Sequence, residues 1–486
     1  MRAIRTRQLF DAAEGSPAIF GNTRAAEFIR DAIAGTDSLD IVTLGDSNAG
    51  SASACGYQFG LATACAIAGM PVYATPLVMC SGNAGANNRT GGMFLPLNQF
   101  RWTGVTGNLT TLRTAAAAAD SNAVALETAL GYDTSNLQVP YSFSYDAAFV
   151  ASGNTYTSPA NGACVRVLRP SPMTEGTGAG GTSCQYRLVN GTFSTGTGQF
   201  KLLAMRSTNT IVAESPSFIS TNTGTVGYRT STLDFTSPIV SSAPVEFLCA
   251  FDGYNNTAAN YQITGPFSAL WHSVIEKRKG FSCSNFMYYS GATATQIADR
   301  LQAASGLLIS FLKELRERQI AGTGSGRVLI WCNCGVNAGG DDGATWTAQM
   351  ASVRNTISTA WITTLGYPAA DLAFVLSVTH PQSAGALETK LAATRETANA
   401  WALGAGNNIC VVDISKLFTY TQLSYRRLYQ STANAEATAH LSESLVGTVT
   451  PASGRYAAGY AYDIHILHNG YVVVGNSILD ALLASL

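Results

Sequence analysis

A run of buried, β-forming residues that breaks off in Gly-Asp-Ser constrains this chain more than any other feature. In Ile41-Val-Thr-Leu-Gly-Asp-Ser-Asn-Ala-Gly50 the strand pattern gives way to turn residues at Gly45. Ser47 is therefore expected where a core strand ends and the chain turns toward a helix. A serine displayed there is placed to act as a nucleophile. Its hydroxyl is weak on its own and needs a base, a group that orients the base, and donors for an oxyanion. All three have to come from elsewhere in the chain.

With 486 residues the chain has length for two or three domains, or for one carrying a large insertion. Hydrophobic residues make up 46% and charged residues only 12%, which excludes a disordered polyelectrolyte. Basic and acidic residues balance at 29 and 30 with no long like-charge run, so no nucleic-acid partner is expected. The longest apolar runs are too short to span a bilayer, and no membrane association is expected. Met1–Phe10 is basic but lacks the apolar core of a signal peptide, so Sec-type export is not expected. The ten cysteines are too few for a disulfide scaffold and are read as reduced, buried residues. Cys332-Asn-Cys334 has the wrong spacing for a zinc pair, and neither a metal nor a cofactor is expected.

In chain order, residues 1–37 hold an arm and a helix over Thr23–Ile33, with Ala26, Ile29 and Ile33 on one face. The core strand and the serine turn follow, then a helix from Cys55 to Ala68 and a second strand over Pro71–Val78. From residue 81 to 280 the rhythm changes to short alternating runs between turn signals, the pattern of an inserted β-sandwich of jelly-roll type. Within it Asn190-Gly191 suits a type I′ turn and predicts a hairpin over Gln185–Ser194. Phe200–Met205 and Val245–Phe251 are expected strands, and Gly176–Gly181 a loop. The α/β alternation resumes at residue 281. It comprises a short strand before Gly291, one helix over Thr295–Gln319, a strand ending in Gly335-Val-Asn337, a helix over Trp346–Thr364, strands over Leu372–Val378 and Ile409–Asp413 with a helix over Glu388–Ala402 between them, and a terminal helix to Leu486. Residues 38–80 and 281–486 together describe a parallel sheet with crossover helices.

Five histidines can serve as base: His272, His380, His440, His465 and His468. His465 is the best placed, following Asp463 and preceding Gly470-Tyr471 and the last helix. These residues resemble the SGNH (GDSL-like) hydrolase and esterase superfamily. Gly45-Asp46-Ser47-Asn48 matches its nucleophile block, Ser290-Gly291-Ala-Thr293 its glycine block, Gly335-Val-Asn337 its Gly-x-Asn block, and His465 through Gly470-Tyr471 its final block. The resemblance covers about half the chain. It implies a flavodoxin-like three-layer α/β fold, with Ser47 as nucleophile, His465 as base and then acid, and Asp463 as its orienter. The oxyanion hole it implies consists of the Ser47 and Gly291 backbone N–H groups and the Asn337 side-chain amide. Two positions depart from the family pattern. Its Asp stands three residues before the His, where this chain has Tyr462, and Asp463 is only two before. Its Asn is often followed by Asp, where Ala338 stands here. Alternatives stay open at single positions: Gly85 for Gly291, a loop cap at Asn337, His468 for His465, and Asp413 for Asp463. His380 reads as a structural or pocket-wall residue.

The resemblance implies a serine esterase, with an O-acetyl group on a carbohydrate or polysaccharide as the expected substrate. A different class of function also fits the low charge and the high Gly, Ala, Ser and Thr content: a structural or adhesive bacteriophage virion protein using the hydrolase fold as a scaffold. A virion or extracellular surface location, with other virion proteins as partners and homo-oligomerisation, goes with that reading, and a cytoplasmic one is the alternative.

Overall fold

A computed structural model describes residues 18–46, 48–49, 56–75, 77–79, 101–103, 143–145, 156–157, 164–168, 184–192, 199–206, 211–217, 219–225, 227–235, 245–251, 260–261, 267–289, 291–303, 305–337, 342–382, 385–404, 409–418 and 468–486. The chain divides into two compact units. Met1–Val72, Lys279–Gln302 and Gly324–Leu486 form the first, and Tyr73–Arg278 with Ala303–Thr323 the second.

The first unit is a mixed α/β structure around a six-stranded sheet. Its strands are β1 (Ile19–Gly21), β2 (Leu39–Asp46), β3 (Phe281–Tyr289), β4 (Val328–Cys334), β5 (Leu372–Val378) and β6 (Cys410–Asp413), in the spatial order β1-β6-β5-β4-β2-β3. Every pairing from β3 to β6 is parallel, and β1 closes the edge antiparallel to β6. Numbering only the parallel strands along the chain gives the order 2-1-3-4-5. In that arrangement the strand order reverses between β2 and β4, and the crevice at their carboxyl ends is where open α/β sheets bind ligands. Ser47 is the first residue after β2.

Helices cover both faces, which is why β2, β4, β5 and β6 are buried along their whole length. On one face, Ile41, Trp331, Val375 and Val412 share a core with Phe28 and Ile29 of α1 (Arg24–Ile33), Leu61 of α2 (Gly56–Ile67) and, beyond α3 (Ala294–Ala303), α4 (Gly343–Ser358) and α5 (Ala386–Leu403), with Ile478 of α6 (His468–Ala484). On the other, the Cys332 and Cys334 thiols lie 3.6 and 3.9 Å from Met350 Sδ in α4. Helices α2 and α6 cross at glycines. A Cβ on Gly60 would sit 2.1 Å from the Tyr471 carbonyl oxygen, and one on Gly475 would sit 2.5 Å from Gly60. Only residues without a side chain allow that approach.

The second unit is mainly antiparallel. One sheet orders Ile211–Glu214, Gln199–Arg206, Val245–Phe251, Cys164–Leu168 and Arg101–Thr103, with Ile219–Ser220 also paired to Gln199–Arg206. Another orders Gly227–Phe235, Cys184–Thr192, Phe267–Glu276 and Val78–Met79, with Phe143–Tyr145 also paired to Phe267–Glu276. A buried ion pair ties the helix Ser305–Ala321 into this unit: Arg187 Nε and Nη2 donate to the Glu314 carboxylate at 2.6 and 3.0 Å, and Thr230 Oγ1 donates to it at 3.0 Å.

Two local expectations fail, and two others can be followed residue by residue. Asn190-Gly191 makes no hairpin, because Cys184–Thr192 runs straight through it between two long partner strands. The Asn190 amide donates to the Gly191 carbonyl at 2.9 Å and its Oδ1 accepts from Ser231 Oγ at 2.7 Å, so side-chain bonding replaces the turn. Pro71–Val78 is no strand of the parallel sheet. It makes isolated bridges at Val72 and Ala74, and a two-residue strand begins at Val78. Over the stretch expected as a helix from 295 to 319, Ala294–Ala303 (α3) and Ser305–Ala321 are helical, and residue 304 between them lies outside the described residues. In α1 the expected face is present: Ala26 and Ile29 are buried with Ala25, Phe28 and Ala32, and half-buried Ile33 packs against the same core. Gly176–Gly181 lies outside the described residues.

Candidate active site

Strand β2 ends at a position only glycine can occupy. Gly45 has φ +144°, and a Cβ there would sit 1.8 Å from the Asn333 carbonyl oxygen of β4. Close pairing of β2 and β4 therefore continues up to the turn. Asp46 follows, fully buried. Its Oδ1 accepts from the Asn48 backbone N–H at 2.9 Å and its Oδ2 from the Gly335 N–H at 3.1 Å. One carboxylate thus bridges the serine turn and the turn after β4. Burial pushes the Asp46 carboxyl up to about 6, against the pull of the N–H groups of Asn48, Val336 and Gly335.

The turn after β4 carries Gly335-Val-Asn337. Gly335 has φ +137°, which lets the chain leave the strand with its N–H aimed at Asp46. Asn337 is half-buried, and its Nδ2 donates to the Ala292 carbonyl at 3.3 Å. The residue before Ala292 is Gly291, exposed at φ +84°, with open space where a Cβ would project. The bond therefore joins Asn337, after β4, to the residue that follows Gly291, after β3. The Asn337 amide has a second N–H beyond the one given to Ala292.

Beneath the serine turn lies a buried polar cluster. Asn48 is fully buried: its backbone carbonyl accepts from the Tyr57 N–H at 2.7 Å, and its Oδ1 accepts from Tyr471 Oη at 2.6 Å. Tyr57 Oη shares a 2.8 Å hydrogen bond with His380 Nδ1, and the Tyr57 ring meets that of Tyr471 edge-on at 5.3 Å. Burial holds the Tyr57 hydroxyl well above its ordinary pKa, so it stays protonated. His380 follows β5 in a braced segment, where Arg395 donates to the Thr379 carbonyl at 2.9 Å and pairs with Glu388 at 2.7 Å. That structural placement agrees with its reading from sequence. Asp413 ends β6 and caps the turn behind it, its Oδ1 accepting from the Ser415 N–H at 3.0 Å and its Oδ2 from Asn399 at 2.7 Å.

Ser47, Asp463 and His465 lie outside the described residues, as does Gly85. His468 is the first residue of α6. Asp46, Asn48, Tyr57 and Tyr471 were not singled out as site residues from sequence, although Asp46, Asn48 and Tyr471 stand inside the blocks that carry the resemblance. Among the described residues no cluster of three or more His, Cys, Asp or Glu could hold a metal ion, and no helix is long and apolar enough to cross a membrane. The Cys65 and Cys410 thiols are pushed up to about 12 by burial, which makes them poor nucleophiles.

No family model and no curated protein sequence matches the chain. Among solved structures it is similar to a peptidoglycan O-acetylesterase, at 11% identity over 96% of this chain and 100% of that one, with a TM-score of 0.46. It is also similar to a family two carbohydrate esterase from Clostridium thermocellum in complex with cellohexaose, at 9% identity over 68% of this chain and 95% of that one, with a TM-score of 0.25. A carbohydrate esterase family 2 enzyme from Corynascus thermopiles (Myceliophthora fergusii) shows 9% identity over 66% and 99%, with a TM-score of 0.24. Similarity of this order carries nothing about substrate or mechanism, and the functional reading rests on the residues themselves.

Proposed function

We propose that the chain is a serine esterase of SGNH type, built from residues 38–80 and 281–486 with residues 81–280 inserted as a β-sandwich. The observation that carries the reading is the bond from Asn337 to the carbonyl of Ala292. It gathers the Gly-x-Asn and glycine blocks at the carboxyl ends of β3 and β4, beside the β2 end that leads into Ser47. Ser47 Oγ attacks the ester carbonyl carbon while His465 takes its proton, with Asp463 orienting the imidazole. The Ser47 and Gly291 N–H groups and the second N–H of the Asn337 amide receive the oxyanion. Collapse expels the alcohol, protonated by His465, and leaves an acyl-enzyme that water hydrolyses by the same steps. An O-acetyl group on a carbohydrate is the proposed substrate.

Turnover of p-nitrophenyl acetate by the wild type and by Ser47→Ala tests the proposal. Loss of essentially all turnover in the variant is expected, and equal rates would remove Ser47 from the chemistry. Asn337→Ala is expected to lower kcat about 100- to 1,000-fold.

A further inference from the structure

We propose that Tyr471 is a positioning residue that sets the serine turn from the opposite end of the chain. The inference rests on the esterase reading and names a group that reading does not use. Tyr471 is fully buried in the first turn of α6, six positions after His465. Its hydroxyl donates to Asn48 Oδ1 at 2.6 Å across 423 residues of sequence. Its backbone is fixed as well, since its carbonyl oxygen lies against Gly60 with no room for a Cβ between them.

Asn48 is held from three sides. Its N–H is bound to Asp46, its carbonyl takes the Tyr57 N–H, and its side-chain oxygen takes the Tyr471 hydroxyl. Asp46 is tied in turn to Gly335. In sequence Ser47 falls between these two pinned residues, and among the described residues the Tyr471 bond ties Asn48 to α6, which begins three positions after His465. Packing alone does not account for a tyrosine here. A phenylalanine would keep the edge-on contact with Tyr57, whereas a buried hydroxyl costs free energy unless it is bonded. Through this bond, a shift of the α6 end that follows the base is passed to the residue next to the nucleophile.

The test is Tyr471→Phe in the full chain, with p-nitrophenyl acetate as substrate and thermal unfolding as the check on folding. A kcat about 10-fold lower with KM within about twofold is expected, the size of one well-made hydrogen bond acting on the barrier. Asn48→Ala breaks the same link from the other side, and the double variant should then be no slower than the worse single variant. Wild-type kcat in folded Tyr471→Phe, or multiplying effects in the double variant, overturns the proposal. If Tyr471→Phe does not fold, an unchanged kcat in folded Asn48→Ala overturns it equally. Failure of the esterase reading has a different signature, wild-type turnover that survives Ser47→Ala, and it removes the positioning role with it.

Discussion

Replacing Asp46 by asparagine should change how stability depends on pH. The carboxyl is fully buried, and burial lifts it from 3.8 to about 6 in the folded protein. In the unfolded chain it returns to the ordinary range, so between about pH 4 and 6 the folded state binds a proton the unfolded state does not. Stability from this group is then gained as pH falls through about 6 and is complete only below about 4, and above 6 the full cost of a buried charge is carried. At about 1.36 kcal/mol per pH unit, that cost is about 3 kcal/mol at neutral pH. The asparagine would carry no charge, although its amide would offer an N–H toward one of the two backbone donors now bound at 2.9 and 3.1 Å. Urea unfolding of both proteins at pH 7, 6, 5 and 4 isolates the effect, because every other titrating group cancels in the difference. The wild type should gain roughly 2 kcal/mol or slightly more relative to the variant between pH 7 and 4. Parallel curves would refute the reasoning.

Two further perturbations have magnitudes set by geometry. Gly45→Ala combines an unfavourable φ with a Cβ 1.8 Å from a β4 carbonyl, and should cost about 4 kcal/mol or more. Gly291→Ala, at φ +84° in open space, should cost only about 1–2 kcal/mol, and equal losses in urea midpoints would contradict the distinction. Glu314→Gln leaves the buried Arg187 guanidinium short of a carboxylate and should cost about 3 kcal/mol by the same measurement. A loss under about 1 kcal/mol would mean that Glu317, 3.4 Å from Arg187, already compensates.

The parallel sheet was legible in the sequence because strands buried on both faces are written as unbroken apolar runs: the expected Leu372–Val378 is β5 residue for residue. Gly335-Val-Asn337 was legible because the strand stops there in turn residues. Failures occurred where long-range pairing overrides local preference. Asn190-Gly191 has the composition of a turn, yet two neighbouring strands fix its extended backbone and Ser231 takes its side chain. The cluster under the serine turn was hidden for another reason. Asn48 with Tyr471 and Tyr57 with His380 are 423 and 323 residues apart, and no periodicity records a hydrogen bond across such a distance. Gly60 and Gly475, plain helix glycines in sequence, carry meaning only once α2 and α6 are seen to cross on them.

The most direct measurement is the mass of the enzyme quenched during turnover of p-nitrophenyl acetate, or after reaction with a fluorophosphonate. An acetyl or phosphonyl adduct on the peptide containing Ser47, absent from Ser47→Ala, is the predicted result. Turnover without an adduct at Ser47, or an adduct on another residue, would contradict it.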